Sequence, residues 1–335
     1  MIKVGIYGAT GYTGYELVKL LRRHPAAEIV FATSQSHAGK TLDDVFPAAP
    51  ALPLVAGEDA PLDEADVVFL CLPHAAAAAT AVTALESGAR VIDLSADFRL
   101  RDAATYADWY AHTHPAPDWL SRAVYGLTEV FRDDLPGAQL VANPGCYPTS
   151  VLLALWPLLR SDVAIGGTII ADSKSGVSGA GRAPSPTTHF VEVADNLSPY
   201  KIGRAHRHLP EMEQTLRQWR SDAPSLVFSP HLLPVPRGIL STIYVTLDEG
   251  ATEGELRELY AAACADEPFV RLLPAGQTAT LAHVNYTNQC AIGLTLTGRT
   301  LILTSTIDNL VKGAAGQAIQ NMNVVFGCPE TYGLI

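Results

Sequence analysis

The residue best placed for chemistry is Cys146, in the segment NPGCYPT at residues 143–149. The short apolar run 140–142 precedes this segment and the apolar stretch 150–159 follows it, which predicts a strand, a turn and a helix. The thiol is expected at the N-terminus of that helix, where free N–H groups and the helix dipole favour a thiolate. We therefore interpret Cys146 as a catalytic nucleophile. The remaining cysteines are interpreted as buried and inert: Cys71, Cys264, Cys290 and Cys328.

Two histidines precede a predicted helix in the segment HRHLPEMEQ at residues 206–214. Pro210 suits the first helical turn, and Glu211 suits the positive end of the helix dipole. A histidine with a glutamate three residues later can form an oriented acid/base pair, so proximity to Glu211 favours His208. Spacing alone does not choose between His206 and His208, because residues two apart in an extended segment point to similar sides. Ordinary helix caps or surface groups are the alternative interpretation.

A glycine-rich turn with the sequence GATGYTG occupies residues 8–14, directly after the predicted strand 2–7. Its glycines are spaced GxxGxxG, one position different from the commoner GxGxxG pattern. The strand before it and the helix after it are the context that pyrophosphate binding at a helix N-terminus requires. We predict dinucleotide binding rather than a merely tight turn. The expected contacts are Gly8, Thr10, Gly11, Tyr12, Thr13 and Gly14.

The end of the second predicted strand, residues 28–33, bears on cofactor choice. NAD enzymes usually place Asp or Glu there against the ribose hydroxyls, but this chain continues with Ser34, Gln35 and Ser36, followed by Lys40. Hydroxyl groups and a nearby cation suit a 2′-phosphate. The sequence therefore predicts NADP as the cofactor, with Ser34 and Ser36 among its contacts.

Two further segments carry polar groups suited to an anion. Residues 172–182, DSKSGVSGAGR, combine hydroxyls, glycines and two cations beyond the predicted strand 167–171. A flexible polar loop is the alternative interpretation. Arg99 follows the predicted strand 90–94, and its alternative role is a surface salt bridge.

Composition limits the class of protein. The 335 residues suffice for two domains, and 48% hydrophobic with 17% charged residues describes a compact chain. Without a membrane-length apolar segment or a signal peptide, and with an odd number of cysteines, a cytoplasmic protein is expected. The formal charge of −11 disfavours nucleic acid as a partner.

Alternating strand and helix patterns before Cys146 predict a Rossmann-type, doubly wound parallel sheet in an α/β fold. The longer strands after it predict a second α+β domain with a mixed sheet. They are expected at residues 167–171, 226–230, 240–247, 290–297 and 300–306. We expect residues 1–145 with the C-terminal helix 309–335 to form an NADP-binding domain. Residues 146–308 would form the catalytic, substrate and oligomerisation domain.

These motifs together resemble the N-acetyl-γ-glutamyl-phosphate reductase family of the semialdehyde dehydrogenase superfamily. The resemblance runs nearly end to end, through residues 8–14, 93–100, 123–127, 143–149, 206–208 and 308–317. It implies reversible NADPH-dependent reduction of an acyl phosphate to a semialdehyde through a cysteine thioester, in arginine biosynthesis. It also implies a glyceraldehyde-phosphate-dehydrogenase-like second domain and a homodimer or homotetramer.

The resemblance also implies roles for individual residues. Cys146 would be the nucleophile and His208 the acid/base, oriented by Glu211. Substrate contacts would come from Arg99, Asn143, Ser175, Tyr200 and His206. Further cofactor contacts would come from Ser175, Gly176 and Asn309.

Three alternatives stay open at this point. A related reductase of lysine biosynthesis acts on a substrate tethered to an acidic carrier protein, and the charge of −11 disfavours the basic patch it would need. Aspartate-semialdehyde dehydrogenase fits the segment 206–208 less well. A catalytically silent NADP-binding regulator would not need the full set of Cys146, His208 and Glu211.

Overall fold

The computed structural model describes residues 1–248 and 250–335. The chain divides into two compact units. Met1–Gly145 and Ala314–Ile335 form the first unit, and Cys146–Gly313 forms the second. The second unit thus begins at Cys146, and the chain returns to the first unit at Ala314. The assignment of functions to the two predicted domains stays a prediction.

The first unit contains a parallel sheet with the strand order β3-β2-β1-β4-β5-β7-β6 over the described residues. Its strands are β1 (Ile2–Tyr7), β2 (Ala27–Thr33), β3 (Leu54–Val55), β4 (Val67–Leu70), β5 (Arg90–Asp93), β6 (Val124–Tyr125) and β7 (Leu140–Ala142). Its first helices are α1 (Tyr12–Leu21), α2 (Ala77–Glu86), α3 (Ala103–Tyr110) and α4 (Thr128–Phe131). The predicted doubly wound parallel sheet is confirmed.

The residues of β4 explain why this sheet is covered on both faces. Val67 and Phe69 belong to one buried apolar cluster, whereas Val68 and Leu70 belong to another. Successive side chains of a strand point to opposite faces, so a continuous apolar run fills two cores.

The second unit contains a mixed sheet with the order β12-β13-β14-β11-β8-β10-β9 over the described residues, which confirms the prediction. Its strands are β8 (Ile165–Gly176), β9 (Ser198–Pro199), β10 (Leu226–Leu233), β11 (Ile239–Leu247), β12 (Val270–Leu272), β13 (Cys290–Thr297) and β14 (Thr300–Ile307). Its helices are α5 (Cys146–Leu159), α6 (Phe190–Val193), α7 (Leu209–Trp219) and α8 (Glu253–Cys264).

Strand β8 corrects the predicted end of the strand at residue 171. Residues 172–176 continue the strand, although they are mostly polar. Ser173 is buried, and its hydroxyl lies 2.7 Å from the Ser241 hydroxyl of β11. A partner in the neighbouring strand thus satisfies a polar group that composition assigns to a loop.

The predicted C-terminal helix is divided into a π-helical segment, Val311–Ala315, and α9 (Gly316–Val325). Buried amides attach α9 to the first unit. Gln317 donates to the Gly126 carbonyl at 3.0 Å, and Asn321 donates to the same carbonyl at 2.8 Å. In the described part of the chain, no helix is long and apolar enough to cross a membrane.

Candidate active site

Cys146 is the first residue of α5, as the sequence predicts. Its side chain is half-buried, whereas the thirteen residues that follow it in the helix are all buried. A thiol at this position faces the positive end of the helix dipole while staying accessible. This is the environment that a cysteine nucleophile needs.

Two tyrosines lie beside this cysteine in the second unit. Tyr200 donates a hydrogen bond from its hydroxyl to the Tyr147 hydroxyl at 3.0 Å, and Tyr147 donates to the His231 carbonyl at 3.4 Å. Burial raises the pKa of Tyr147 well above its ordinary value and raises the pKa of Tyr200 to about 12, and the charge of Cys146 contributes to both shifts. Both phenols therefore stay protonated at neutral pH. Tyr147 immediately follows the predicted nucleophile, Cys146, yet the sequence pattern indicates no role for it.

The two predicted histidines are brought together around Tyr147. Their ring centroids are 4.8 Å apart, and the Tyr147 ring lies 5.5 Å from His206 and 6.1 Å from His208. Tyr200 and Phe228 also contact His206, with ring centroids at 5.6 and 5.2 Å. The second unit thus gathers predicted catalytic and substrate-binding residues into one aromatic cluster.

His206 is a neutral imidazole with a defined tautomer. Burial is the largest cause that lowers its pKa to about 4, and the cations Lys201 and Arg207 contribute to the same shift. Its Nδ1 accepts the backbone N–H of His208 at 3.1 Å, so the ring proton resides on Nε2. His206 consequently presents a fixed N–H donor and does not gain a charge near neutral pH.

His208 precedes α7 as its N-cap residue, and Pro210 lies in the first turn, as predicted. Glu211 follows one turn later and is only 1% exposed. Residues three apart at the start of a helix have the spacing of side chains that share a face. The arrangement has the elements of an oriented acid/base pair.

The three glycines of the first turn have separate structural reasons. Gly8 has a φ of +80°, and a Cβ there would lie 2.4 Å from the Cys71 carbonyl oxygen. A Cβ on Gly14 would lie 2.3 Å from the Gly8 carbonyl oxygen, so α1 packs tightly against the turn. A Cβ on Gly11, by contrast, would lie 3.6 Å from its nearest neighbour, the Gly8 carbonyl oxygen. A tight turn, an open glycine and a close helix are the three features of a pyrophosphate-binding turn.

The N-terminus of α1 also suits a phosphate group. Among the described residues, no side chain caps this helix and its first turn contains no acid. Tyr12 is exposed and Thr13 half-buried at this end. The helix itself thus supplies neither a side-chain cap nor an acid that would compete with a phosphate for the N–H groups of its first turn. The turn therefore fits a dinucleotide.

The residues after β2 divide into buried and exposed groups. Ser34 is 1% exposed, and its hydroxyl lies 2.8 Å from the Thr10 hydroxyl, so it supports the glycine turn. Ser36 is exposed, with its hydroxyl 2.9 Å from His37 Nδ1, and Lys40 is exposed as well. Ser36 and Lys40 are accordingly the accessible groups for a 2′-phosphate.

Arg99 and Asn143 form a buried contact in the first unit. Arg99 is 6% exposed and donates from Nε to the Asn143 carbonyl at 2.8 Å and from Nη2 to the Leu94 carbonyl at 2.8 Å. The Asn143 amide donates to the Ala314 carbonyl and accepts from Asn321 at 3.0 Å. Burial excludes the surface salt bridge considered for Arg99. Both side chains stabilise the turn that precedes Cys146.

The polar segment of β8 is occupied by contacts of its own. The Lys174 Nζ lies 2.5 Å from the Asp172 Oδ2, and the Asp172 Oδ1 lies 3.2 Å from the His231 Nδ1. Ser175 is 2% exposed and donates to the Gly176 carbonyl at 3.1 Å. The cation of Lys174 is thus largely neutralised within the strand, which weakens the predicted anion cradle.

Asn309 holds two turns of the second unit together. Its Nδ2 donates to the Ser178 hydroxyl at 3.0 Å, and its Oδ1 accepts the Gly238 N–H at 2.7 Å. A Cβ on Gly179 would lie 3.0 Å from the Ser175 Oγ and 3.8 Å from the Asn309 Nδ2. Asn309 and Ser175 therefore meet at Gly179, where the sequence predicts cofactor contacts.

Comparison with known proteins follows the same division of the chain. A family model described as "Semialdehyde dehydrogenase, NAD binding domain" matches residues 3–138. A second model, "Semialdehyde dehydrogenase, dimerisation domain", matches residues 146–309.

Relatives match over the whole chain. A protein of Symbiobacterium thermophilum named N-acetyl-gamma-glutamyl-phosphate reductase is 51% identical, over 100% of this chain and 97% of the relative. A protein of Geobacter sulfurreducens with the same name is 49% identical, over 100% and 98%. The crystal structure of aspartate semialdehyde dehydrogenase II from Vibrio cholerae, complexed with ASA, superposes with a TM-score of 0.75 at 19% identity, covering 97% of this chain and 98% of that one. The structural likeness shows the fold alone.

Proposed function

This chain belongs to the N-acetyl-γ-glutamyl-phosphate reductase family of semialdehyde dehydrogenases, and we propose that it reduces N-acetyl-γ-glutamyl phosphate to N-acetylglutamate semialdehyde in arginine biosynthesis. NADPH is the reductant and inorganic phosphate is released. The observation that carries the proposal is the position of Cys146 as the first residue of α5, beside a cluster that contains Tyr147, His206 and His208.

The first half of the reaction forms a thioester. The Cys146 sulfur attacks the γ-acyl carbon, a C–S bond forms, and the C–O bond to phosphate breaks with the electron pair leaving on phosphate. Covalent catalysis thereby separates loss of phosphate from reduction. The neighbouring hydroxyls of Tyr147 and Tyr200 stay protonated, so they add no negative charge beside the sulfur.

The second half reduces the thioester. The dinucleotide, when bound, would supply the hydride that reduces the acyl carbon. His208 donates a proton to the resulting oxyanion, giving a thiohemiacetal, and takes the proton back as the C–S bond breaks. The aldehyde leaves and the Cys146 thiolate is restored. Glu211, one turn further on α7, would orient the imidazole.

His206 is assigned a binding role. Because its Nδ1 accepts the His208 N–H and its pKa is about 4, it has no basic nitrogen available for proton transfer near neutral pH. Its Nε2–H instead offers one hydrogen bond to an acceptor oxygen of the substrate. Tyr200 would contact the same region through the aromatic cluster.

The dinucleotide would be held by residues of the first unit. The N–H groups at the start of α1, next to Gly11, would bind the pyrophosphate. Ser36 and Lys40 would face the 2′-phosphate, because both are exposed directly after β2. Ser34 would act indirectly, by holding Thr10.

The second unit exposes an apolar row that suits contact between copies of the chain. Val227, Ile170 and Tyr244 form a row of registered neighbours across β10, β8 and β11, and they are 41%, 42% and 37% exposed. An apolar row on an open sheet face suits burial against a second copy, in the region matched by the dimerisation-domain model. A homodimer or a homotetramer built from it is therefore proposed. None of the five cysteines is paired in a disulfide in the described structure, which suits the proposed location in the reducing cytoplasm.

The decisive experiment compares phosphate-dependent oxidation of three semialdehydes by the purified protein with NADP. N-acetylglutamate semialdehyde should be oxidised far better than aspartate semialdehyde or a carrier-linked semialdehyde. Cys146→Ser should bind NADP normally but lose nearly all turnover, because a serine hydroxyl is scarcely ionised at neutral pH. Preference for another aldehyde would reassign the substrate. Wild-type turnover by the serine variant would refute the thioester mechanism, and absence of turnover with all three would favour a silent NADP-binding protein.

A further inference from the structure

A buried aspartate fixes the segment that leads from β14 into the π-helix. Asp308 is 0% exposed, and its Oδ1 accepts the N–H groups of Leu310 and Val311 at 2.9 and 3.2 Å. Its Oδ2 accepts the Tyr286 N–H at 2.7 Å and pairs with Arg237 at 3.0 Å. With four donors on one carboxylate, the start of this segment has little freedom to move.

The same residue determines where Gly313 lies. The Gly313 N–H donates to the Asp308 carbonyl at 2.9 Å, a bond that spans five residues and so belongs to the wide π-type turn. This turn brings the Gly313 backbone against the nucleophile. A Cβ at Gly313 would lie 2.9 Å from the Cys146 Cβ, 3.3 Å from its Cα and 3.2 Å from the Ile307 Cδ1.

We propose that Gly313 is a positioning residue for the nucleophile, an inference that rests on the proposed function of Cys146. The Asp308 turn presses a backbone without a side chain against the first residue of α5. This contact sets the location of the Cys146 β-carbon and therefore the direction of its sulfur. The role needs glycine, because a β-carbon at residue 313 would have to lie about 3.4–4 Å from the Cys146 β-carbon for ordinary van der Waals contact.

The test is Gly313→Ala. The added methyl must displace Cys146 by several tenths of an ångström. Movement of residue 313 itself is limited, because its N–H is bonded to the Asp308 carbonyl and the methyl would also lie 3.2 Å from the Ile307 Cδ1. Misplacement of a reacting group by about 1 Å costs roughly 10²-fold in rate, so we expect kcat to fall by roughly 10- to 100-fold. The Kd for NADPH should stay unchanged. Alkylation of Cys146 by iodoacetamide, followed by peptide mass mapping across pH, should slow by roughly 10-fold or shift its pH profile.

A matched control separates positioning from stability. A Cβ on Gly293 would lie 2.5 Å from the Thr304 hydroxyl and 2.8 Å from the Gln277 carbonyl oxygen, a clash at least as close in the same unit but away from Cys146. Gly293→Ala should therefore lower thermal stability by a similar amount while kcat and Cys146 alkylation stay near wild type. The proposal would be overturned if kcat and Cys146 alkylation fell equally in the two variants. It would also be overturned if Gly313→Ala kept wild-type alkylation and kcat.

A double variant keeps the proposal testable if Gly313→Ala does not fold. Cys146→Gly removes the β-carbon that the new methyl meets, so Gly313→Ala should be less destabilising in that background than in the wild type. Additive losses of stability would refute the contact. Because alkylation and stability need no substrate, these results stand apart from the substrate assay, whose failure would instead refute the proposed reaction.

Discussion

The neutral state of His206 makes a specific prediction for the variant His206→Asn. The asparagine Oδ1 can replace Nδ1 as the acceptor of the His208 N–H, so the local backbone contact is preserved. The variant loses the titratable ring, its Nε2–H donor and the ring contacts with Tyr147, Tyr200 and Phe228. It should therefore be less stable than wild type at about pH 7.5, and the informative quantity is the further loss of stability on acidification.

The pH dependence should differ between the two proteins. Burial lowers the pKa of His206 from 6.5 to about 4 in the folded chain, whereas the unfolded chain keeps the ordinary value. Between these values the unfolded state binds a proton that the folded state excludes, so wild-type stability falls as pH falls through this window. The difference between the two pKa values lowers the free energy of unfolding by about 3 kcal/mol once the pH approaches the pKa of the folded state.

The assay is urea unfolding of both proteins at about pH 7.5 and about pH 4.5. Wild type should lose about 2–3 kcal/mol more than His206→Asn on acidification. Burial also lowers the pKa of His24 and His114 and raises the pKa of Asp93 to about 7, but these groups are common to both proteins and cancel in the difference. Equal losses would show that His206 is not held neutral. A large fall in kcat for His206→Asn, with an altered pH profile of turnover, would instead exchange the roles of the two histidines.

Three further outcomes are expected. His208→Ala should slow turnover by roughly 10²–10⁴-fold, the usual contribution of general acid–base catalysis, while alkylation of Cys146 continues; a change below about 10-fold would contradict the assignment. Ser36→Asp should shift kcat/KM towards NADH, because the new carboxylate repels the 2′-phosphate, and an unchanged ratio would place the phosphate elsewhere. Tyr244→Glu should convert the oligomer to a smaller species in light scattering. Tyr332→Glu should not, although Tyr332 in the first unit is equally exposed at 37%. Identical masses for the two variants would exclude the open sheet face as the interface.

Local patterns were sufficient to predict most of the fold. Strands β7 and β13 have the bounds that the sequence predicts, because each is an apolar or alternating run between turn residues. The N-terminus of α5 follows from the same logic, since proline and glycine interrupt the chain just before Cys146. The two-residue strands β3 and β9 carry too little pattern to be predicted, because their neighbours in the sheet define them.

The sequence by itself determined which residue types were available for the chemistry. Local features of the sequence indicate these hypotheses: a cysteine at a helix start, a histidine pair before a second helix and a glycine turn after the first strand. The tertiary structure decided how individual side chains are used. Ser34 is buried against Thr10, the Asn143 amide meets Asn321 across 178 residues of sequence, and Gly313 lies against Cys146.

The physical reason is the distance over which each property is set. Helix capping, turn geometry and strand alternation depend on residues a few positions apart, so the sequence displays them. Burial, hydrogen-bond partners and pKa depend on groups that only the folded chain brings together. The neutral Nε2–H tautomer of His206 therefore could not be predicted from the spacing of the two histidines, because it requires burial of the ring and the contact with the His208 N–H.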